Sequence, residues 1–282
     1  MNQSAGRRLL RLRTLVIYLP VALYLLFTLF PIYWLLNSSF KPFDELFSFP
    51  PKYWPEAPSF ENYANAVTET RLGALYLNSI FVAALTCATL LVVIVFAGYA
   101  MARFRFRGKH LIILLFLLAQ TLPPVVLIIP LFTMLNRVGL VDSRAGLVLV
   151  YAFTWLPFSV LMMRGFFASI PEEIDEAAMI DGCGRTAALL RVVLPSALPG
   201  LVATSIFGFI NAWNELIYAV VLISSPDLQT LPVGLSSMMD ENRTEYGMMM
   251  AIAALALIPT LLFFAWIQRY LTGGLSAGAV KG

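Results

Sequence analysis

A short polar cluster interrupts one of the long apolar stretches of this sequence and is the first place where chemistry could occur. Glu215 is the one acid within those stretches, Asn211 precedes it by four residues, and a tryptophan and a second asparagine lie between them. Carboxamides, a carboxylate and a flat ring suit the hydroxyls and ring faces of a sugar. The carboxylate could instead relay a proton, or hold its helix against a partner subunit. The residues that could line a path for a solute are Asn211, Trp213, Asn214, Glu215 and Gln120.

A second charged feature is an acidic segment between the fourth and fifth apolar stretches. Residues 172–181 contain five acids and no base. Ser169 and Glu172 have the spacing of a helix-opening capping box, and Gly182 can supply the left-handed backbone that ends a helix. A helix that rests on a membrane surface is expected to carry Lys and Arg on its polar face, and this segment carries none. The pattern therefore favours a short helix that docks on a protein partner.

The apolar stretches around these features are long enough to cross a membrane. Of the 282 residues, 60% are hydrophobic and 12% charged, whereas soluble domains carry roughly 25% charged residues. A membrane-spanning helix needs about 20 apolar residues, and each backbone polar group in lipid needs an internal partner. We therefore predict an all-α membrane protein with six transmembrane helices. The predicted spans are 15–36, 78–100, 111–135, 146–163, 201–223 and 248–268.

The basic residues set the orientation of these spans. Most of the 19 Lys and Arg residues lie in segments 1–14, 101–110, 164–200 and 269–282. Because Lys and Arg collect on the cytoplasmic side, we predict that these segments and both termini are cytoplasmic. The chain then comprises a cytoplasmic N-terminus, a six-span domain over 15–268 with its cytoplasmic loop at 164–200, and a cytoplasmic tail. The net charge of +3 is small and does not indicate nucleic-acid binding.

The acidic loop also carries a recognisable signature. Its residues are Glu176, Ala177, Ala178, Asp181, Gly182, Val192, Leu194 and Pro195. They resemble the EAA signature of ABC importer permeases, although Val192 stands where isoleucine is usual. Residues 209–218 resemble the WNEF-like segment of the carbohydrate-uptake permeases. The tail over 271–282 resembles the ending of the second, MalG-like permease of those systems.

This resemblance implies the fold of a type I ABC importer permease and a role in transport, with no catalytic residue in the chain. The implied partners at the bacterial cell membrane are a second related permease that forms a heterodimer, two ATPase subunits, and an extracytoplasmic solute-binding protein or lipoprotein, all within membrane lipid. The loop residues would couple the permease to the ATPase subunits. ATP and magnesium would belong to those subunits, because this sequence has no phosphate-binding G-x-x-x-x-G-K-[ST] loop and no metal-ligand spacing.

The resemblance implies a sugar as the solute, with a di- or oligosaccharide expected. Glycerol phosphate is an alternative, but the predicted spans contain no Lys or Arg that would favour a phosphate. A secondary transporter that uses Glu215 as a relay is a second alternative. It predicts an inverted repeat with paired broken helices, which the sequence does not display.

Overall fold

A computed structural model describes the backbone of residues 3–239 and 245–278, and the side chains of residues 16–239, 245–266 and 268. Within these ranges every regular element is a helix, which confirms the predicted all-α class. The side chains of the predicted cytoplasmic segment 1–14, and the last residues of the predicted tail, 279–282, lie outside the described ranges.

The helices follow one another through short connections. In chain order they are α1 (Gln3–Ser39), α2 (Phe43–Leu46), α3 (Glu61–Thr68), α4 (Leu72–Arg103), α5 (Lys109–Ala119), α6 (Pro124–Arg137), α7 (Arg144–Ser169), α8 (Glu173–Ile180), α9 (Arg185–Ala188), a π-helical turn (Leu189–Val193), α10 (Leu194–Ser196), α11 (Leu198–Trp213), α12 (Ile217–Leu222), a 3₁₀ turn (Pro226–Leu228), α13 (Leu231–Ser237) and α14 (Tyr246–Gly278).

Four of these helices are long and apolar enough to cross a membrane by themselves. They are α4, α7 and the parts of α1 and α14 over Val16–Ser39 and Tyr246–Trp266. Two bent pairs qualify when each is taken as one span. The pair α5–α6 bends by 107°, and the segment Arg185–Ser196 bends by 81° from α11. The described chain therefore holds four to six candidate spans.

The chain forms two compact units. The first comprises Met1–Thr70 and Met238–Leu255, and the second comprises Arg71–Ser237 and Ala256–Gly282. In the first unit, aromatic rings order the segment that follows α1. The buried Lys41 ammonium lies 4.5 Å from the centre of the Trp34 ring and donates to the Lys52 carbonyl oxygen at 2.5 Å.

The core of the second unit is formed by α4, which packs along α7 and α11. Small residues allow this close approach, as is usual between helices in membranes. A Cβ atom added at Gly98 of α4 would lie 3.1 Å from Met163 Cβ, and one added at Gly200 of α11 would lie 2.2 Å from Phe166 Cγ. The buried cluster between these helices includes Ile94, Val95, Tyr99, Met101, Val160, Met163, Phe167, Leu189, Val193 and Ala197.

Two of the predicted spans are broken in the structure. The third stretch is interrupted between α5 and α6, where Pro123 and Pro124 cannot donate backbone hydrogen bonds and disfavour helical geometry at the residue before them. The fifth stretch is interrupted between Trp213 and Ile217. The predicted capping box is wrong: α7 continues to Ser169, whose hydroxyl donates to the Phe166 carbonyl oxygen.

Candidate functional site

The acidic helix α8 ends in a well-defined glycine motif. Gly182 has φ +88°, which is the left-handed region that side chains other than glycine rarely adopt. Its N–H donates to the Met179 carbonyl oxygen at 3.1 Å, and the Cys183 N–H donates to the Ala178 carbonyl oxygen at 3.0 Å. These two bonds form a Schellman motif and satisfy two carbonyl groups that the end of the helix would otherwise leave free. No atom lies within 4 Å of a Cβ added at Gly182, so its constraint is conformational.

One face of α8 is anchored to the end of α4. Asp175 is buried, and its carboxylate accepts from Arg103 Nε at 2.8 Å and from the Tyr99 hydroxyl at 2.5 Å. Arg103 Nη2 also donates to the Ile170 carbonyl oxygen at 2.9 Å, just before α8 begins. The Arg103 and Asp175 side chains are only 6% and 8% exposed, so solvent screens their attraction little. The sequence had assigned neither residue a role in this loop.

The opposite face of α8 is open. Its members recur at helical spacing: Glu173, Glu176, Ala177, Ile180 and Asp181 are all exposed. Ile180 is 85% exposed and gives this face one large apolar side chain. Of the predicted coupling residues, Ala178 faces inward. We name this surface, comprising Glu173, Glu176, Ala177, Ile180 and Asp181, the open face of α8.

The other predicted coupling residues follow α8 in the chain, in the segment that connects it to α11. Leu194 is half-buried and packs against the core cluster, Val192 is half-buried, and Pro195 is exposed. Val192 lies within the π-helical turn Leu189–Val193, and Leu194 and Pro195 follow that turn directly. The two buried ends of that turn belong to the core between α4 and α7, so this segment joins α8 to the main helices.

The polar residues of the fifth stretch do not form one cluster. The Asn211 and Asn214 amides each donate back to their own helix, to the Phe207 and Ile210 carbonyl oxygens. Trp213 is buried, with its ring edge-on to Tyr76 and stacked on Phe209. The helix break that follows Trp213 removes the i, i+4 relation that placed Asn211 and Glu215 on one face.

Glu215 lies in that break and caps the next helix. Its Oε1 accepts from the Tyr218 N–H at 2.9 Å, and its Oε2 accepts from the Ala219 N–H at 3.2 Å. A helix that begins within a membrane needs partners for its first N–H groups, and a carboxylate there also opposes the positive end of the helix dipole. The geometry therefore gives Glu215 a capping role at the start of α12.

Gln120 lines a cavity of about 250 Å³ in the second unit. The cavity lies where α5, α6, α7, α11 and α12 meet. Its lining residues are Ala119, Gln120, Leu122, Pro124, Leu127, Phe153, Thr154, Trp155, Pro157, Phe158, Phe207 and Tyr218. Aromatic rings form much of this lining, and no lining residue is charged. The sequence singled out Gln120 but gave no signal for Trp155 or Tyr218.

A separate polar network fixes the segment that follows α12. The Asp142 carboxylate accepts from the Ser224 and Ser225 N–H groups, both at 2.9 Å, and from the Ser225 hydroxyl. The Ser225 hydroxyl and these backbone groups hold the pKa of Asp142 below its ordinary value. Asp142 itself has φ +56°, a conformation that aspartate tolerates better than most residues.

Known proteins resemble this chain over nearly its whole length. It is 38% identical to the diacetylchitobiose uptake system permease protein DasC of Streptomyces coelicolor, over 90% of this chain and 92% of that protein. It is 33% identical to the trehalose transport system permease protein SugB of Mycobacterium tuberculosis, over 91% of this chain and 93% of that protein.

A solved structure shares the fold. One chain of a bacterial ABC transporter involved in the import of the acidic polysaccharide alginate superposes with a TM-score of 0.80 at 24% identity, covering 92% of this chain and 96% of that one. Residues 94–276 match the family described as binding-protein-dependent transport system inner membrane component. The chain therefore belongs to that family: it is a multi-pass inner-membrane permease subunit of an ABC importer and not an enzyme.

Proposed function

We propose that this permease serves an ATP-driven sugar importer and that α8 couples it to partner ATPase subunits. The observation that carries the proposal is the two-sided character of α8. One side is held to α4 through a buried ion pair, and the other presents acids and an 85% exposed isoleucine to the surroundings. A helix of this kind can receive a push on its open face and pass it to the membrane helices.

The predicted EAA residues take distinct parts in this coupling. Glu176 and Ala177 lie on the open face, where Glu176 offers a charge to a basic group of the ATPase and Ala177 allows close approach. Asp181 lies at the same face, and Gly182 ends the helix in the geometry described above. Ala178 packs inward, while Val192, Leu194 and Pro195 connect α8 to α11. Ile180 joins this set as an apolar contact on the open face.

The sugar assignment is supported by the relatives and by the cavity. The names of similar permeases include diacetylchitobiose, trehalose and galactooligosaccharides as the transported solutes. A phosphate-bearing solute such as glycerol phosphate would favour Lys or Arg along its path. The lining of the cavity, within the described part of the chain, carries neither. A neutral di- or oligosaccharide therefore fits better.

The path of the solute would include Gln120, which lines the cavity. Asn211 and Trp213 lie on the last turn of α11 and Asn214 directly follows it, but none of the three lines the cavity. Glu215 has both carboxylate oxygens engaged by backbone N–H groups, which argues against a secondary transporter that uses it as a proton relay.

We propose the assembly that the resemblance to ABC importer permeases implies. This chain would pair with a second, related permease, two ATPase subunits would bind ATP and magnesium, and an extracytoplasmic binding protein would deliver the solute. Both termini, the loop 164–200 and the tail 269–282 would lie on the cytoplasmic side, because Lys and Arg concentrate there. In that orientation α8 would lie on the same side of the membrane as the ATPase subunits.

The test is ATP hydrolysis by the complete transporter. The transport genes that neighbour this one would be co-expressed, and the purified complex placed in lipid discs with its binding protein. Diacetylchitobiose, trehalose, galactooligosaccharides and glycerol phosphate would be compared. We expect co-purifying ATPase subunits and hydrolysis that rises with one of the sugars. Stimulation by glycerol phosphate alone would replace the sugar assignment, and the lack of any co-purifying ATPase would contradict the coupling role of α8.

A further inference from the structure

One face of α4 is open over the first part of that helix, within the second unit. The exposed side chains on this face recur at helical spacing and are all apolar: Leu77, Ile80, Phe81, Ala84, Leu85 and Ala88. They line a groove of about 730 Å³, which lies within the range of about 300–1,000 Å³ typical of ligand sites. We call this feature the α4 groove. It shares no lining residue with the cavity beside Gln120.

The length of the α4 groove matches one leaflet of a membrane. From Leu77 to Ala88 along the axis of α4 is about 16 Å, and half of a hydrocarbon core of about 30 Å is about 15 Å. The small side chains of Ala84 and Ala88 leave space beside the larger Phe81 and Leu85. The groove can therefore hold an extended acyl chain along the depth of a leaflet.

A fixed cation stands at the polar end of the groove. Arg144, the first residue of α7, lines the groove together with Asn78. Its guanidinium carbon lies 5.8 Å from the centre of the Phe81 ring, and its Nε donates to Asn78 Oδ1 at 3.0 Å. The buried Asn78 amide in turn donates to the carbonyl oxygens of Asp227 and Gln229 at 2.8 and 2.9 Å. This network sets the position of the guanidinium group.

The two Nη groups of Arg144 are free to bind a ligand. Within the described part of the chain they have no hydrogen-bond partner, and no carboxylate pairs with them. The Asp227 carboxylate is engaged by Arg71, and Asp142 is held by backbone N–H groups as described above. The positive end of the α7 dipole adds to the charge of Arg144. This end of the groove therefore attracts an anion, and the planar arginine fork suits a phosphate.

We propose that the α4 groove binds one phospholipid, with its phosphate on Arg144 and an acyl chain along α4 from Leu77 to Ala88. A phosphate joined to a long apolar chain is the ligand that an apolar groove with one cation at its end requires. In the orientation proposed above, this lipid would belong to the extracytoplasmic leaflet. The site does not depend on which solute the importer carries.

A helix of the partner permease is the competing occupant of the groove. Helices in membranes approach one another closely through small residues, whereas the large side chains of Leu77, Phe81 and Leu85 project from this face. A flexible acyl chain can follow such an uneven surface better than a second helix can. A partner helix would also need a carboxylate opposite Arg144, while every phospholipid carries a phosphate there.

Lipid retention by the purified complete complex tests the role of the cation. The complex in detergent would receive equal amounts of phosphatidylglycerol and of diacylglycerol with the same acyl chains, and bound lipid would be counted by native mass spectrometry. The wild type should retain phosphatidylglycerol in preference. Arg144→Gln should weaken this retention about ten- to a hundredfold, as expected for hydrogen bonds to a charged group. Arg144→Lys keeps the charge without the fork and should lie between them.

Matched variants separate the groove from general effects of charge and size. Arg137→Gln removes an exposed arginine at the end of α6 that does not line the groove, and should retain lipid as the wild type does. Ala84→Leu fills the groove without changing Arg144, and should reduce retention at least severalfold. Ala168→Leu adds the same side chain at an exposed position near the other end of α7, and should have no effect.

A photo-crosslink identifies the occupant in a membrane. Benzoylphenylalanine in place of Leu85, in the complex in discs of phosphatidylglycerol, should attach a phospholipid to this chain on illumination. Arg144→Gln should lower the yield of that adduct. The same label in place of Val92, an exposed position on α4 beyond the groove, should give a lipid adduct whose yield Arg144→Gln leaves unchanged.

Two results would overturn the lipid site. An adduct at position 85 with a protein chain instead of a lipid would assign the groove to a helix. Equal retention of phosphatidylglycerol and diacylglycerol by the wild type, or equal retention of phosphatidylglycerol by the wild type and Arg144→Gln, would show that lipid only solvates this face. Neither measurement uses a sugar, so each result stands whether or not the proposed function does.

Discussion

The buried ion pair between α4 and α8 makes a quantitative prediction about coupling. Asp175→Asn preserves the shape of the side chain but removes the charge that compensates Arg103, which is only 6% exposed. Removing one partner of a buried pair costs about 3–5 kcal/mol, chiefly because the other charge stays buried and unpaired. Since about 1.4 kcal/mol corresponds to a factor of ten, the docked position of α8 should lose roughly two to four orders of magnitude in relative population.

The assay is the number of sugar molecules transported per ATP hydrolysed, measured on the complete complex in proteoliposomes. For Asp175→Asn we expect this ratio to fall at least tenfold while the ATPase subunits still co-purify, because the open face of α8 is unchanged. Backbone amides of α8 should also exchange faster with deuterium. Glu172→Gln removes one acid at the start of the same helix without touching the pair, since Glu172 is exposed and lies outside the open face, and should keep nearly the wild-type ratio.

A double variant separates an anchoring role from any other role of the charge. Arg103→Met combined with Asp175→Asn leaves no unpaired charge, and replacing buried pairs by uncharged groups is often neutral for stability. The double variant should therefore recover most of the coupling that Asp175→Asn alone loses. A wild-type ratio in Asp175→Asn, or a double variant no better than the single one, would refute the anchoring argument.

Three further predictions concern single sites. Gly182→Ala should destabilise the end of α8 by about 1–2 kcal/mol because it forces a side chain into the left-handed region. The number of sugar molecules transported per ATP hydrolysed should fall as a result. Gly184→Ala, at φ −68°, should behave as the wild type. Glu215→Gln should weaken the cap of α12 by about 0.5–2 kcal/mol and so lower the thermal unfolding midpoint. Sugar uptake per folded complex should stay the same. A loss of uptake with an unchanged midpoint would instead favour a proton relay at Glu215. Because the pKa of Asp142 lies below its unfolded value, its stabilisation is present above the unfolded pKa and is lost only as pH falls through the folded one. The contribution of Asp142 to the unfolding midpoint should thus be the same at neutral pH and at about pH 5. Asp142→Asn should therefore lower the midpoint at both pH values.

Much of the architecture could be predicted from the sequence because lipid imposes strong rules. Long uncharged runs predicted helices, and all regular elements in the described ranges are helical. The spacing of Glu176, Gly182 and Leu194 predicted the family, which the match over residues 94–276 confirms. Both kinds of signal are local, and each depends on residue type at short spacing and not on distant packing.

The features that failed to emerge from the sequence depend on contacts across long separations or on competing local bonds. Arg103 and Asp175 lie 72 residues apart, and each alone resembles an ordinary loop charge. The break at Glu215 follows from a carboxylate that bonds to N–H groups three and four residues ahead, whereas an unbroken helix was the simpler expectation. Ser169 matched a capping spacing, yet its hydroxyl turned back to α7 because that helix extends to Ser169 itself.

The anchor of α8 and the cavity are joined by one closely packed set of helices. Asp175 is held by α4, α4 packs along α7 and α11, and those two helices supply the cavity walls through Trp155 and Phe207. From the end of α7 at Ser169 to Trp155 is about 21 Å along the helix axis. The approach at Gly98 and Gly200 leaves no room for a side chain between these helices, so they cannot slide far past one another. Closely packed interiors pass on displacements instead of absorbing them. A push on the open face of α8 should therefore move the cavity walls. Breaking the ion pair should stop this movement from reaching the cavity, although the residues of the open face and of the cavity lining are unchanged.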